Sequence, residues 1–245
     1  MIIYKFIHLF NNYKNSMLNN CKINSNIINN NLEIITTNDG SKSLKLISLN
    51  ESYHSIHGAL NESTHVFINE GLNKIRKKNI NILEVSFGTG LNVLNTIKNK
   101  LDKKINYCAI EPNPIKSNIY NKLGYNELLN NTENIFLKIH KLEWEKKHRI
   151  TNNFHLIKIK TSIQLFKSRN KFDIIYYDAF SPNKQPEMWT EDILKKCYEK
   201  LKRNGLFVTY CSKGNVKRML CRLNFKVEKI QGPLGKREMI RGRKI

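Results

Sequence analysis

The stretch from Ile80 to Ile97 limits what this chain can become more than any other. Residues 80–83 form an apolar run of strand length, and Glu84-Val85-Ser86-Phe87-Gly88-Thr89-Gly90 follows at once. From Leu91 the period changes, and Leu91, Leu94 and Ile97 fall on one face of a helix. Strand, glycine turn and helix in that order form the nucleotide-binding first unit of a Rossmann-like sheet. Glycines there let backbone approach a ligand closely, and the helix start offers free N–H groups. Apolar runs at 106–110, 154–159, 172–177 and 206–211 then alternate with helical patterns. Such alternation predicts an α/β fold, a parallel sheet with helices on both faces.

The flanks add detail. Asn204-Gly205 reads as the end of a helix before the 206–211 strand. Residues 225–230 and 238–241 flank Gly232-Pro233-Leu234-Gly235 and predict a terminal antiparallel pair. The charged segment 138–153 reads as a surface helix, with Trp144 as its packing anchor. Upstream, 32–36 and 44–49 read as strands of a hairpin around Asn38-Asp39-Gly40. A helix is expected from Glu62 onward, with Val66 and Leu72 inward. Residues 1–31 use Asn, Lys and Ile without a period, the composition of a disordered extension, and Met17 is an alternative start. The expected division is therefore a low-complexity extension at 1–31 and one domain at 32–245, whose hairpin and helix occupy 32–79.

A chain of 245 residues is long enough to bury a full core. No run is long and apolar enough to span a membrane, and the N-terminus lacks a signal-peptide cleavage site, so a cytoplasmic protein without a membrane partner is expected. Five scattered cysteines without a C-x-x-C pair indicate neither zinc nor a disulfide framework. His54, His57 and His65 lie close in sequence without a metal-ligand context and read as structural. Forty-two Lys and Arg against 20 Asp and Glu give a formal charge of +22, which favours an anionic partner such as nucleic acid. Drift toward AT-rich codons, which encode Lys, Asn and Ile, accounts for the same excess.

Two acids stand where chemistry is expected. Glu111 follows the 106–110 strand ~20 residues past the glycine turn, the spacing at which a carboxylate meets ribose hydroxyls. Asp178 ends the 172–177 strand and opens a loop holding Phe180, Pro182, Pro186 and Trp189. Ligands of open α/β sheets bind beyond the carboxyl ends of strands, and prolines stiffen such a loop into a pocket wall. A solvated cap and a surface loop remain the alternative.

The turn is not the dinucleotide G-x-G-x-x-G; with Glu84 before it, it resembles motif I of the S-adenosylmethionine methyltransferases. Further blocks extend the likeness: Tyr53-His54-Ser55 to Phe67, Asp178-Ala179-Phe180-Ser181-Pro182 to Thr190, Thr209 to Arg218, and Gly232-Pro233 to Met239. Together, over about 32–242, they resemble the tRNA 5-methylaminomethyl-2-thiouridine methyltransferases, the MnmD enzymes and the N-terminal half of bifunctional MnmC. The resemblance implies a Rossmann-like class I sheet with an antiparallel terminal strand. It implies S-adenosyl-L-methionine as cofactor and a tRNA anticodon stem-loop as partner. The reaction would be methyl transfer to the aminomethyl nitrogen of the wobble uridine. Bifunctional relatives carry a flavin oxidase half; no such half, no FAD and no metal are expected for this chain.

Carried over residue by residue, the resemblance implies a cofactor site of Glu84, Phe87, Gly88, Thr89, Gly90, Glu111, Ser162 and Asp178. The resemblance also implies Asp178 as the catalytic residue. Tyr53, Glu62, Phe180, Pro182 and Trp189 would line the substrate side, and Lys184, Lys213, Lys236 and Arg237 would meet tRNA. Ser86 and Ser162 depart from the pattern, since relatives favour glycine at the first position and an Asp near the second. A substrate ammonium at ~10.4 facing an unperturbed Asp at ~3.9 would cost roughly 9 kcal/mol to deprotonate. Asp178 is therefore expected to orient the amine, and a general-base role would require burial to raise its pKa. A degenerate methyltransferase fold that binds RNA, a methyltransferase acting on another amine, and a nicotinamide oxidoreductase are the competing readings.

Overall fold

The computed structural model of the chain describes residues 31–128 and 134–245. The expected extension at 1–31 lies outside them except for Asn31. The hairpin forms as β1 (Leu32–Thr36) and β2 (Lys42–Leu46), antiparallel from Leu32↔Leu46 to Thr36↔Lys42. The second strand stops short of Leu49 because Ile47–Leu49 coils into a 3-10 turn ending at Asn50 with φ 46. A short β3 (Glu51–Ser52) then pairs with β2.

The hairpin turn caps the helix that follows. Asp39 Oδ1 accepts from Ser41 N–H at 3.0 Å, and its Oδ2 accepts from Asn61 N–H at 2.9 Å. Thr37 and Ser41 hydroxyls accept from Ala59 N–H, so the first orphan donors of α1 (Ala59–Ser63) find partners. This helix starts before the expected Glu62 and widens into a π-turn at Thr64–Asn69. The widened pitch buries three successive residues, Val66, Phe67 and Ile68.

The main sheet is built from β4 (Asn79–Val85), α2 (Leu91–Asn99), β5 (Lys104–Ile110), the short α3 (Ser117–Tyr120) and α4 (Tyr125–Leu128), α5 (Ile135–Lys141), β6 (Lys147–Thr151), β7 (Phe154–Ile159) and β8 (Phe172–Tyr177). It is completed by α6 (Glu191–Lys200), β9 (Leu201–Thr209), α7 (Gly214–Arg222), β10 (Phe225–Gln231) and β11 (Glu238–Lys244). Among the described residues its order is β10-β11-β9-β8-β4-β5-β7-β6. The five central strands are parallel, while β11 and β6 run antiparallel to β9 and β7. This is the Rossmann-like α/β sheet with an antiparallel terminal strand that the sequence predicts. Every residue of β8 is buried, as suits a strand covered on both faces.

Two local expectations fail. Residues 138–153 are not one helix: α5 ends at Lys141, Leu142 turns extended, and β6 pairs along the edge of β7. The charges that suggest a surface helix instead face water from an edge strand, where they discourage further pairing. Asn204-Gly205 is not a helix cap. The helix ends at Lys200, and buried Leu201 already pairs with Phe172. Asn204, at φ 63, sits where the register between β8 and β9 shifts, so it serves a bulge.

Candidate functional site

β4 lies between β5 and β8, so chain connections leave it in opposite directions, and a crevice opens at the carboxyl ends of these strands. The β3–α1 segment covers it. The result is a cavity of about 370 Å³.

The glycine turn forms its floor. Ser86, Gly88 and Gly90 have φ of 75, 49 and 76. A Cβ on Gly90 would lie 2.9 Å from Phe87 Cζ, and one on Gly88 would lie 3.2 Å from Tyr53 Cδ1, so any side chain at either position would crowd these rings. Ser86 takes the same left-handed conformation with a side chain, at a cost glycine avoids. The N–H groups of Ser86 and Phe87 both donate to the Ile110 carbonyl at 3.1 Å, tying the turn to the end of β5. Behind it, Phe87 packs against His140 and Trp144, and Lys158 Nζ stands 4.6 Å from the Trp144 ring. His140 Nε2 donates to the Thr89 carbonyl at 2.9 Å, and burial pushes its pKa down to about 3.

Glu111 enters from β5. Its Oε2 accepts from Gly88 N–H at 3.1 Å and its Oε1 from Asn113 N–H at 2.9 Å. A carboxylate has about four acceptor positions, so capacity remains for ligand hydroxyls. Burial raises its pKa, against the pull of the two backbone donors. Glu84 is fully buried under the turn, and neither carboxylate oxygen has a hydrogen-bond partner. Burial first, then repulsion from Asp178, pushes its carboxyl well above the usual range, against the influence of Asn92 and Tyr107.

Asp178 is half-buried at the end of β8, and its Oδ2 accepts from Asn92 Nδ2 at 2.9 Å. Burial, and then the Glu62 charge, push its carboxyl up to about 7, against the Asn92 amide and the Lys236 ammonium. Burial that raises this carboxyl is the condition on which a general-base role for Asp178 depends. Glu62 Oε2 accepts from Ser55 N–H at 2.7 Å, and Glu62 Oε1 accepts from Lys236 Nζ at 2.8 Å. The same ammonium lies 3.9 Å from the centre of the Tyr210 ring, whose hydroxyl donates to the Ala179 carbonyl at 2.9 Å. Phe180 meets Tyr53 edge-on at 5.2 Å.

The cavity thus gathers Tyr53, Glu62, Asp178, Phe180 and Lys236 on one side, and Phe87, Gly88, Thr89, Glu111 and Ser162 on the other. Gly90 and Glu84 stand behind this lining. Trp189 does not line it: the indole is buried against Tyr177 and donates to the Phe180 carbonyl at 2.7 Å, so it braces the loop from within. Pro182 and Lys184 are also outside the lining, and Lys184 Nζ donates to the Leu49 carbonyl at 2.8 Å. Lys213 and Arg237 are exposed and outside it, whereas Lys236 points in rather than toward an external phosphate. Sequence reasoning assigned no role to Asn92, Tyr210 or Met188, all of which line the cavity. Asn92 carried a faint signal as a polar residue beside the apolar face of α2. The three histidines have structural contacts: Ser43 Oγ for His54, the Gln231 carbonyl for His65, and Gly235 against the ring of His57.

Residues 124–245 match the family described as S-adenosyl-L-methionine-dependent methyltransferase. The chain is 31% identical over 208 residues to the tRNA 5-methylaminomethyl-2-thiouridine biosynthesis bifunctional protein MnmC of Campylobacter jejuni, covering 80% of this chain and 34% of that protein. It spans about a third of the length of the MnmC proteins it matches, and half that of the uncharacterized protein MJ0670 of Methanocaldococcus jannaschii. Among solved structures it superposes on MnmC2 from Aquifex aeolicus with a TM-score of 0.69 and 29% identity, over 86% of this chain and 69% of that one. Spermidine synthase from Thermotoga maritima, at TM-score 0.52 and 12% identity over 87% and 68% of the two chains, shares the fold alone.

Proposed function

We propose, from the premise that this chain belongs to the S-adenosyl-L-methionine-dependent methyltransferases and is related to the methyltransferase half of MnmC, that it methylates the aminomethyl nitrogen of a tRNA wobble uridine. The product would be 5-methylaminomethyl-uridine or its 2-thio form. The cofactor residues suit their ligand. A glycine cradle admits close backbone approach, Glu111 keeps acceptor capacity for ribose hydroxyls, and the Glu84 carboxyl lies beneath the turn. Ser162 borders the same side and offers a hydroxyl to an adenine amino group, without charge. S-adenosyl-L-methionine, when bound, supplies a methyl group activated by its sulfonium.

The observation that carries the reading is Asp178, a carboxyl at about 7 facing the cavity beside Glu62 and Lys236. An alkylammonium has no lone pair and must lose a proton before it attacks. A carboxylate with a pKa near neutrality takes that proton far more readily than an ordinary one. Lys236 offsets much of the Glu62 charge, which leaves an ionised Asp178 to face a cationic substrate, and Phe180 and Tyr53 supply flat apolar surface for a base. The basic surface suits a polyanionic partner. The fold and charge also suit cytoplasmic tRNA processing.

The test is nucleoside mass spectrometry of tRNA carrying aminomethyl-uridine, before and after incubation with the protein and a labelled methyl donor. One added methyl on the exocyclic nitrogen is expected. A preparation that binds the donor by calorimetry and leaves this nucleoside unchanged refutes the substrate.

A further inference from the structure

Helix α2 buries amides where a structural helix would bury hydrocarbon. Asn92 and Asn95 are 3% and 1% exposed, and Ser63 of α1, which meets both, is 1% exposed. Asn99 Nδ2 donates to Asn95 Oδ1 at 2.8 Å, and Asn95 Nδ2 donates to Ser63 Oγ at 3.1 Å and to Thr64 Oγ1 at 3.0 Å. Ser63 Oγ donates to Asn92 Oδ1 at 2.7 Å, and Asn92 Nδ2 donates to Asp178 Oδ2 at 2.9 Å.

These bonds have one possible direction. Asn99 Nδ2 also donates to the Asn95 carbonyl at 2.9 Å, which fixes it as the donor and makes the facing Asn95 atom an oxygen. Asn95 therefore turns its NH₂ to Ser63. Having accepted it, Ser63 spends its single proton on Asn92, and Asn92 in turn faces Asp178 with N–H. Every dipole points the same way, and aligned hydrogen bonds strengthen one another. Asparagine is a poorer helix former than the leucines beside it, and a well-shaped apolar pair would fill this space at little loss.

We infer that Asn92, locked by Ser63 and Asn95, is a positioning residue that fixes the Asp178 carboxylate through Oδ2 and leaves Oδ1 for the reacting amine. This rests on the proposed role of Asp178. The donor also holds the proton affinity of Asp178 below the level that burial alone would set. The other groups felt at Asp178 come from different elements: Glu62 from α1, Lys236 from the β10–β11 turn, Glu84 from β4, Tyr107 from β5 and Tyr210 after β9. None of them is substituted in the variants below; Asn92→Leu also removes the Asn92 influence on Glu84, which Ser63→Ala leaves in place.

The experiment follows the Asp178 carboxyl by ¹³C NMR titration of protein labelled at Asp Cγ, its resonance identified by its loss in Asp178→Asn. Asn92→Leu should raise the midpoint by about one to two units, the equivalent of a charge-assisted hydrogen bond of about 1.5–3 kcal/mol. Ser63→Ala should move it the same way by less, and Ser63→Thr should restore it. The acid limb of the methyl-transfer rate should follow the NMR midpoint. An unmoved midpoint in folded Asn92→Leu protein overturns the inference. If that variant does not fold, an unmoved midpoint in Ser63→Ala overturns it. The titration needs no substrate, so a shifted midpoint supports the relay even if wild-type protein leaves aminomethyl-uridine unmethylated.

Discussion

Replacing Asp178 by asparagine keeps the shape of the side chain and removes its proton affinity. A lysine-like amine at ~10.4 passes its proton to a carboxyl at about 7 across a gap of about 3.4 units, close to 4.6 kcal/mol. The same transfer to an ordinary Asp costs roughly 9 kcal/mol. The difference, about 4 kcal/mol, is roughly a thousandfold in rate, within the ~10²–10⁴ range of general-base catalysis. Single-turnover transfer of a labelled methyl group near neutral pH should be slower in Asp178→Asn by the ~10²–10⁴-fold that a positioned general base typically supplies. The wild-type rate should fall about tenfold per unit below about 7, as Asp178 takes up its own proton. The variant has no such limb. Its rate should climb with the fraction of free amine, so the two profiles converge as pH rises. Parallel profiles at a constant ratio would show that Asp178 only orients the amine. Equal rates would remove it from the chemistry, and lost donor affinity in calorimetry would place it in the cofactor site.

Two further outcomes concern stability. Ser86→Gly relieves a left-handed residue at about 1–2 kcal/mol but loosens the unfolded chain by about 0.4–1 kcal/mol. It should thus be neutral or stabilising by up to about 1.6 kcal/mol in thermal denaturation, whereas Ser86→Val should destabilise; the opposite order would mean that the turn relaxes around its side chain. Glu84 has a folded-state pKa raised above ~4.3, so its contribution is fully present below that value and is lost as pH rises toward the folded one. Denaturant titrations from acid to mildly alkaline pH should show Glu84→Gln losing less stability than wild type with rising pH, and identical slopes would mean that Glu84 titrates normally.

Much of this could be read in the residues. β8 shows itself as an unbroken apolar run because both its faces are covered, and the Ser86–Gly90 turn because few residues accept its backbone angles. Asp178 and Glu111 stand out in the sequence because strand ends fix where their side chains emerge, whereas Tyr53 enters only through the family resemblance. Failures came where distant contacts decide. Lys236 looks like any surface lysine until the β10–β11 turn folds over α1 and brings it to Glu62. Trp189 suits a pocket wall equally well in sequence, and only the Phe180 carbonyl turns its indole inward. Edge strand β6 has too few apolar residues to alternate, with Ile150 alone buried. The polar row on α2 is hidden by its neighbours Leu91 and Leu94, which announce an ordinary amphipathic helix.

The place of β11 bears on how the protein is made. It is inserted between β10, which precedes it directly, and β9, which was completed earlier. During synthesis β9, paired to β8 on one side, therefore keeps its other edge open until 238–244 emerge. Lys236, on the turn leading into β11, reaches Glu62 only with this last insertion. A ribosome stalled before Glu238 would display Glu84, Glu111 and Asp178 without the cation that partners their neighbour. The charge arrangement of the cavity thus depends on β11 taking its place, and chains cut before Glu238 should be substrates for chaperones and proteases rather than slow enzymes.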